Sequence, residues 1–204
     1  MKRKIITIFG YVVILALCFS LSFITVEIPV HDEDKAIEQS VLGEITDGTV
    51  ISQKFFVEQK KIKGIKLRFA TYEKDLTGNM SYTLSYAEGN TVLVDAMIDL
   101  SNLKDNQMYT IDFEKTINIS QSQLNLVLKG VGTQTGNSAT VYAYNKATEN
   151  TDLIVNDQIV EDQTLNLSVL CTDFSIKRML YLSLSMMILY SYLLFVLKTV
   201  VSKK

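Results

Sequence analysis

Catalysis needs groups of tuned protonation held in convergent geometry, and the residue types that supply them are sparse in this chain of 204 residues. There is one histidine and there are two cysteines. His31 opens an acidic stretch that continues through Asp32, Glu33, Asp34, Glu38, Glu44 and Asp47. It reads as a surface residue, and no Ser-His-Asp set can be built around it. Cys18 falls within an apolar run, and Cys171 has no histidine to activate it. Neither belongs to a metal-ligand pattern. The acidic stretch lacks the Asp-x-Asp-x-Asp-Gly spacing of a calcium loop, and no Gly-rich phosphate-binding loop is present. Carboxylates such as Asp75, Asp95, Asp99 and Asp112 are plentiful, and although no pair stands out as a glycosidase acid and nucleophile, an enzyme using such a pair is the third alternative. The expectation is a chain that is not an enzyme, with no cofactor and no metal.

Binding chemistry is better represented. Carbohydrate recognition on a sheet uses exposed aromatics together with planar polar groups. The chain has ten tyrosines and no tryptophan. Arg68 and Tyr72 fall outward by alternation along one strand, and Asn79 and Tyr82 follow across a turn. Arg68, Tyr72, Asn79 and Tyr82 are therefore the candidate ligand-binding residues. The plainer alternative has Tyr72 capping a sheet edge and Arg68 on a solvated face.

Strands must position those residues. Ile65, Leu67, Phe69 and Thr71 alternate with Lys66, Arg68, Ala70 and Tyr72, the period of a strand with one face in a core. Met80, Tyr82, Leu84 and Tyr86 repeat the pattern, and Val92 to Ile98 return after a turn at 87–91. Tyr109, Ile111 and Phe113 form another row, as do Leu124, Leu126 and Leu128. Val141 and Ala143 oppose Tyr142 and Tyr144, and Leu165, Leu167 and Val169 close the set. Asp99 to Leu103 reads as one helical turn. Turn signals every eight to fifteen residues, with no long helical period between them, predict sheet packed on sheet.

The ends differ from the centre. Lys2, Arg3 and Lys4 precede an uncharged run from Ile5 to Ile24, long enough as a helix to cross ~30 Å of hydrocarbon. A cleaved signal peptide competes with this reading, but Cys18 to Phe23 offers no small-x-small site, and Leu17 before Cys18 suits a lipoprotein box poorly. A second uncharged run spans Met179 to Leu197, and Lys198, Lys203 and Lys204 follow it. The basic flanks place both termini in the cytoplasm and the centre outside. Lys177 and Arg178 sit on the outer side, where their long stems reach headgroups. Gly10 and Ser183, Ser185 and Ser191 suggest that the two helices pair with each other. Net charge is -2, which gives no reason to expect a nucleic-acid partner.

The stretches Ile51-Ser-Gln-Lys-Phe-Phe56, Ile65 to Tyr72, Thr77-Gly-Asn79, Leu103-Lys-Asp-Asn106, Leu126-Val-Leu-Lys-Gly130 and Leu153-Ile-Val-Asn156 together resemble a jelly-roll-like module. That module occurs in extracytoplasmic loops of bacterial polytopic membrane proteins that build or modify surface polysaccharide, some of glycosyltransferase type. The resemblance covers roughly residues 50–170 and implies the module, because the multi-helix catalytic part has no counterpart here.

The expected fold is an all-β sandwich, jelly-roll-like and antiparallel, flanked by an N-terminal and a C-terminal transmembrane α-helix. The expected boundaries are 1–28 for the first helix, 29–49 for an acidic stalk, 50–172 for the sandwich and 173–204 for the second helix and basic tail. The expected function is a non-catalytic cell-envelope protein whose sandwich binds glycan or an envelope protein beside a polytopic membrane enzyme. The alternative is a structural or sensory membrane protein recognising a protein ligand. Expected partners are the lipid bilayer, a polytopic membrane protein and cell-surface glycan.

Overall fold

The computed structural model describes residues 2–31, 38–146 and 148–201. They form two compact units, one of Val26–Cys171 and one that joins Met1–Thr25 with Thr172–Lys204.

The larger unit is a sandwich of two mostly antiparallel sheets. In chain order the strands are β1 (Phe23–Pro29), β2 (Gln39–Glu44), β3 (Val50–Phe56), β4 (Lys61–Ala70), β5 (Asn79–Tyr86), β6 (Val92–Asp99) and β7 (Gln107–Asn118). They continue with β8 (Gln123–Val131), β9 (Thr140–Tyr144), β10 (Asp152–Val155), β11 (Gln158–Ile159), β12 (Thr164–Leu165) and β13 (Leu167–Phe174). One sheet runs β1-β13-β4-β9-β12, with β7 also on β4 and β2 also on β9. The other runs β11-β10-β3-β8-β5-β6. A short 3₁₀ turn at Leu100–Asn102 follows β6, capped by the Asp99 carboxylate.

The rows expected to face inward do so. Leu67 and Phe69 from β4, Val141 and Ala143 from β9, and Leu167 and Val169 from β13 meet Leu124, Leu126 and Leu128 from β8 and Met80 and Leu84 from β5. All are buried in one continuous cluster. Each of these side chains larger than alanine adds about 1.5–3 kcal/mol through its removal from water. Alternation breaks in β4, where Ile62, Gly64 and Ile65 are all buried and the register against β7 shifts between Ile62 and Gly64. A Cβ on Gly64 would strike the carbonyl of Ile111, so the bulge needs glycine there.

A fully buried polar residue ties the two sheets together. Gln53, on β3, donates from Nε2 to the carbonyls of Lys54 at 2.9 Å and Asp152 at 3.2 Å. Its Oε1 accepts from the Leu165 amide of the opposite sheet at 2.9 Å.

The turn after β4 is strained and held by one carboxylate. Tyr72 and Glu73 both have left-handed backbones, with φ of 54° and 56°, a conformation that is costly for residues with a Cβ. Asp105 Oδ1 accepts from the amides of Thr71 and Tyr72, each at 2.7 Å. The Thr71 amide above all holds this carboxyl below the ordinary aspartate range.

The chain departs from expectation at its N-terminal side. The first helix, α1 (Lys2–Ser20), stops short of residue 28. Ser22 closes it, its hydroxyl donating to the Cys18 carbonyl at 2.5 Å. The next residues, Phe-Ile-Thr-Val-Glu-Ile, alternate in exposure and include the β-branched Ile24, Thr25, Val26 and Ile28, and they enter the sheet as β1 rather than extending the helix. The expected stalk is also partly structured. Gln39–Glu44 forms β2 on β9, and Ile45 is buried in the core. The residues of β2 are exposed or half-buried on both faces, so no apolar row announces the strand. Asp32, Glu33 and Asp34 lie outside the described residues, as do Lys203 and Lys204.

The helical unit pairs α1 with α2 (Ile176–Val201). Tyr190 packs over Gly10, where any side chain would collide with its ring. Tyr11 meets Tyr190 edge-on, centroids 4.9 Å apart, and shares a hydrogen bond of 2.6 Å with the Ser191 hydroxyl. Ser20, Ser185, Ser191 and Thr199 each donate to the carbonyl four residues back, which satisfies hydroxyls in an apolar setting. Among the described residues one helix is long and apolar enough to cross a membrane, Ile176–Thr199, 24 residues of mean hydropathy 2.0. The apolar part of α1, Ile6–Ser20, is shorter. Of the expected pair of spanning helices, α2 meets this test of length and composition, and α1 is shorter than expected because Phe23 and Ile24 belong to β1.

Two outcomes are expected. Gln53→Leu strands the buried Leu165 amide and should cost about 1–3 kcal/mol in denaturant unfolding; unchanged stability would show that the tie is idle. Asp105 gains its contacts as the anion. Its contribution is therefore complete above the unfolded-state value near ~3.9 and fades as pH falls through the lower folded-state value. Melting temperature against pH should fall less steeply at the acid end in Asp105→Asn than in the parent, and parallel curves would contradict this.

Candidate functional site

Because Leu67 and Phe69 point into the core, Arg68 must stand on the outer face of β4. There the neighbouring strands surround it with planar polar groups. Arg68 Nη1 donates to Gln39 Oε1 on β2 at 2.8 Å. Its Nη2 donates to Asn106 Oδ1, in the loop before β7, at 2.9 Å. The guanidinium carbon lies 4.9 Å from the ring centroid of Tyr142 on β9, a cation–π distance. Asn166, at the start of β13, donates to the same Gln39 oxygen at 3.3 Å.

This network floors a groove of about 350 Å³ lined by Glu27, His31, Gln39, Arg68, Asn106, Met108, Tyr144, Asn166 and Ser168 among others. His31 stacks on Tyr144, centroids 3.9 Å apart and planes 31° apart. Glu27 on β1 forms an ion pair with Lys66 on β4. The groove therefore offers an aromatic platform, a guanidinium and three side-chain amides on one sheet face. Chemically this face presents apolar ring faces for stacking together with forked hydrogen-bond donors and acceptors.

The four residues expected from sequence do not gather. Arg68 holds the centre of the groove. Tyr72 is exposed in the strained turn beyond β4, with Lys74 Nζ 5.8 Å from its ring centroid. Asn79 starts β5 in the other sheet, its neighbour Met80 facing the core. Tyr82 is 5% exposed in the core cluster, and burial first of all pushes its hydroxyl's pKa up. It belonged to the inward row Met80-Tyr82-Leu84 by its own alternation, and the same parity rules it out as an outward ligand contact.

The residues that join Arg68 instead are His31, Gln39, Asn106, Tyr142, Tyr144 and Asn166. Tyr142 and Tyr144 share an outward face by period two, a signal legible in sequence. Gln39 and His31 come from the stretch taken for stalk, and only the pairing of β2 with β9 and β1 with β13 brings them here.

The aspartates scatter. Asp95 accepts from Thr83 at 3.0 Å across β5 and β6, Asp99 caps the 3₁₀ turn, and Asp112 lies on β7 of the other sheet. Among the described residues no group of three or more His, Cys, Asp and Glu is placed to hold a metal ion.

No family model matches the chain, and no curated protein matches it in sequence. Solved structures do align with it. The insecticidal delta-endotoxin Cry8Ea1 from Bacillus thuringiensis aligns at 12% identity and a TM-score of 0.38, over 73% of this chain and 24% of the toxin. The T13 viral particle of infectious bursal disease virus aligns at 14% identity and a TM-score of 0.32, over 80% of this chain and 46% of the viral one. The chain spans less than half the length of either.

Proposed function

We propose that this chain is a membrane-anchored, non-catalytic binding protein of the cell envelope, and that the groove around Arg68 takes glycan. The groove carries the reading: a guanidinium seated over Tyr142 and fixed by two amide oxygens is a preorganised polyol site on rigid strands. The sandwich in this reading is jelly-roll-like and extracytoplasmic, and it serves a polytopic membrane enzyme of surface-polysaccharide synthesis.

Anchoring rests first on α2, whose span of 24 residues reaches about 36 Å at ~1.5 Å per residue. We assign α1 as a second span. Its apolar part, Ile6–Ser20, reaches about 22 Å at ~1.5 Å per residue, a shortfall that local thinning of the bilayer accommodates, and the basic Lys2, Arg3 and Lys4 precede it in sequence as a cytoplasmic flank. β1 and β13, the strands that adjoin the helices in sequence, are neighbours in one sheet, so both helices can enter one bilayer with both termini inside.

A second reading has its own observation. β6 is an edge strand with Val92 and Met97 exposed, and an apolar edge strand is a place for a protein partner to add a strand. This fits a structural or sensory role with a protein ligand.

Glycan microarray binding with the full chain in mild detergent separates the two. Retention of glycans, weakened at least tenfold in Kd by Arg68→Ala (about 1.4 kcal/mol), is the expected result. Absence of any glycan signal, with a cross-linked partner mapping to β6, would replace the first reading by the second.

A further inference from the structure

The charge on Arg68 is held but not neutralised, and this says what kind of glycan the groove is built for. We propose that the ligand is anionic: a saccharide or polyol polymer with a singly charged oxyanion on its repeat, paired with the Arg68 guanidinium. The inference rests on the glycan reading of the same groove.

Both side chains that accept from Arg68 are neutral amides, Gln39 and Asn106. Among the described residues no carboxylate forms an ion pair with it. Its neighbour in alternation, Lys66, is already matched by Glu27. Among the residues that line the groove, the charged or titratable ones are Glu27, His31, Arg68 and Tyr144. With Glu27 engaged by Lys66 from beside the groove, the Arg68 guanidinium is a surplus cation that no carboxylate pairs with among the described residues.

The setting makes that surplus selective. Arg68 is half-buried, with one face over Tyr142. A partly desolvated cation with only neutral acceptors is less well stabilised than one facing an oxyanion. The planar fork suits carboxylate and phosphate alike. The Tyr144–His31 stack borders the same groove and offers a ring face for the sugar carrying the anion. Two sources share this chemistry, a hexuronate carboxylate and the phosphodiester of a polyol phosphate.

The test uses the full chain in detergent micelles and calorimetric titration with three probes. These are an oligogalacturonate, the same oligomer with its carboxylates reduced to alcohols, and a short polyglycerol phosphate. At least one anionic probe should bind ten times or more tighter than the reduced oligomer, and the difference should shrink as salt rises. Which of the two anionic arms responds tells carboxylate from phosphodiester. Arg68→Gln should erase the difference between charged and reduced oligomers. Glu27→Gln, which frees Lys66, should widen it, and this second variant keeps the test decisive if Arg68→Gln unfolds. Equal binding of charged and reduced oligomers in the parent chain would overturn the anionic assignment while leaving a glycan site standing. Binding of none of the three probes overturns the assignment, and the array described above then decides separately whether any glycan binds.

Discussion

The parity of β4 is the constraint on which the rest of the molecule depends. A strand has two faces and a period of two, so burying Ile65, Leu67 and Phe69 against β8 and β5 obliges Lys66 and Arg68 to face out. A slip of one residue would put a guanidinium into the core and a phenylalanine into the groove. Core and site are therefore one decision. The bulge at Gly64 sets where the register settles, and the buried Gln53 fixes how the opposite sheet meets this one. Stability of the sandwich and placement of Arg68 cannot be tuned independently.

Much of this was legible in the chain because burial leaves a periodic trace. The inward rows of β5, β7, β8, β9 and β13 all came from alternation, and Asp99 to Leu103 read correctly as one helical turn. What escaped had no such trace. β2 covers nothing deeply on either face, so its six residues look like solvated chain. β1 follows an apolar helix without a charge or glycine between, and the change from a 3.6 to a 2.0 period is short enough to be absorbed into the helix. The site suffered accordingly. Arg68, Tyr142 and Tyr144 lay on strands whose parity was visible, whereas His31 and Gln39 arrive through strand pairings at long sequence distance. Tyr82 is the opposite case: its alternation with Met80 and Leu84 places it inward although its residue type suits a binding face.

The two units satisfy their polar groups differently. In the sandwich, Gln53 and Arg68 find partners on neighbouring strands and loops. In the helical pair, the hydroxyls of Ser20, Ser185, Ser191 and Thr199 turn back to their own backbone, and Tyr190 fits a gap that only glycine leaves. Under the proposal made above, the rigid strands would carry recognition and the helices retention.

Hydrogen–deuterium exchange on the full chain in detergent micelles, with and without saturating oligogalacturonate, addresses the location of recognition most directly. A groove centred on Arg68 predicts slowed exchange in β2, in the outer half of β4, in β9 and in the Asn106 loop, with β5 and β6 unchanged. Protection confined to β6 or the Tyr72 turn, with the Arg68 face unaffected by bound ligand, would contradict it.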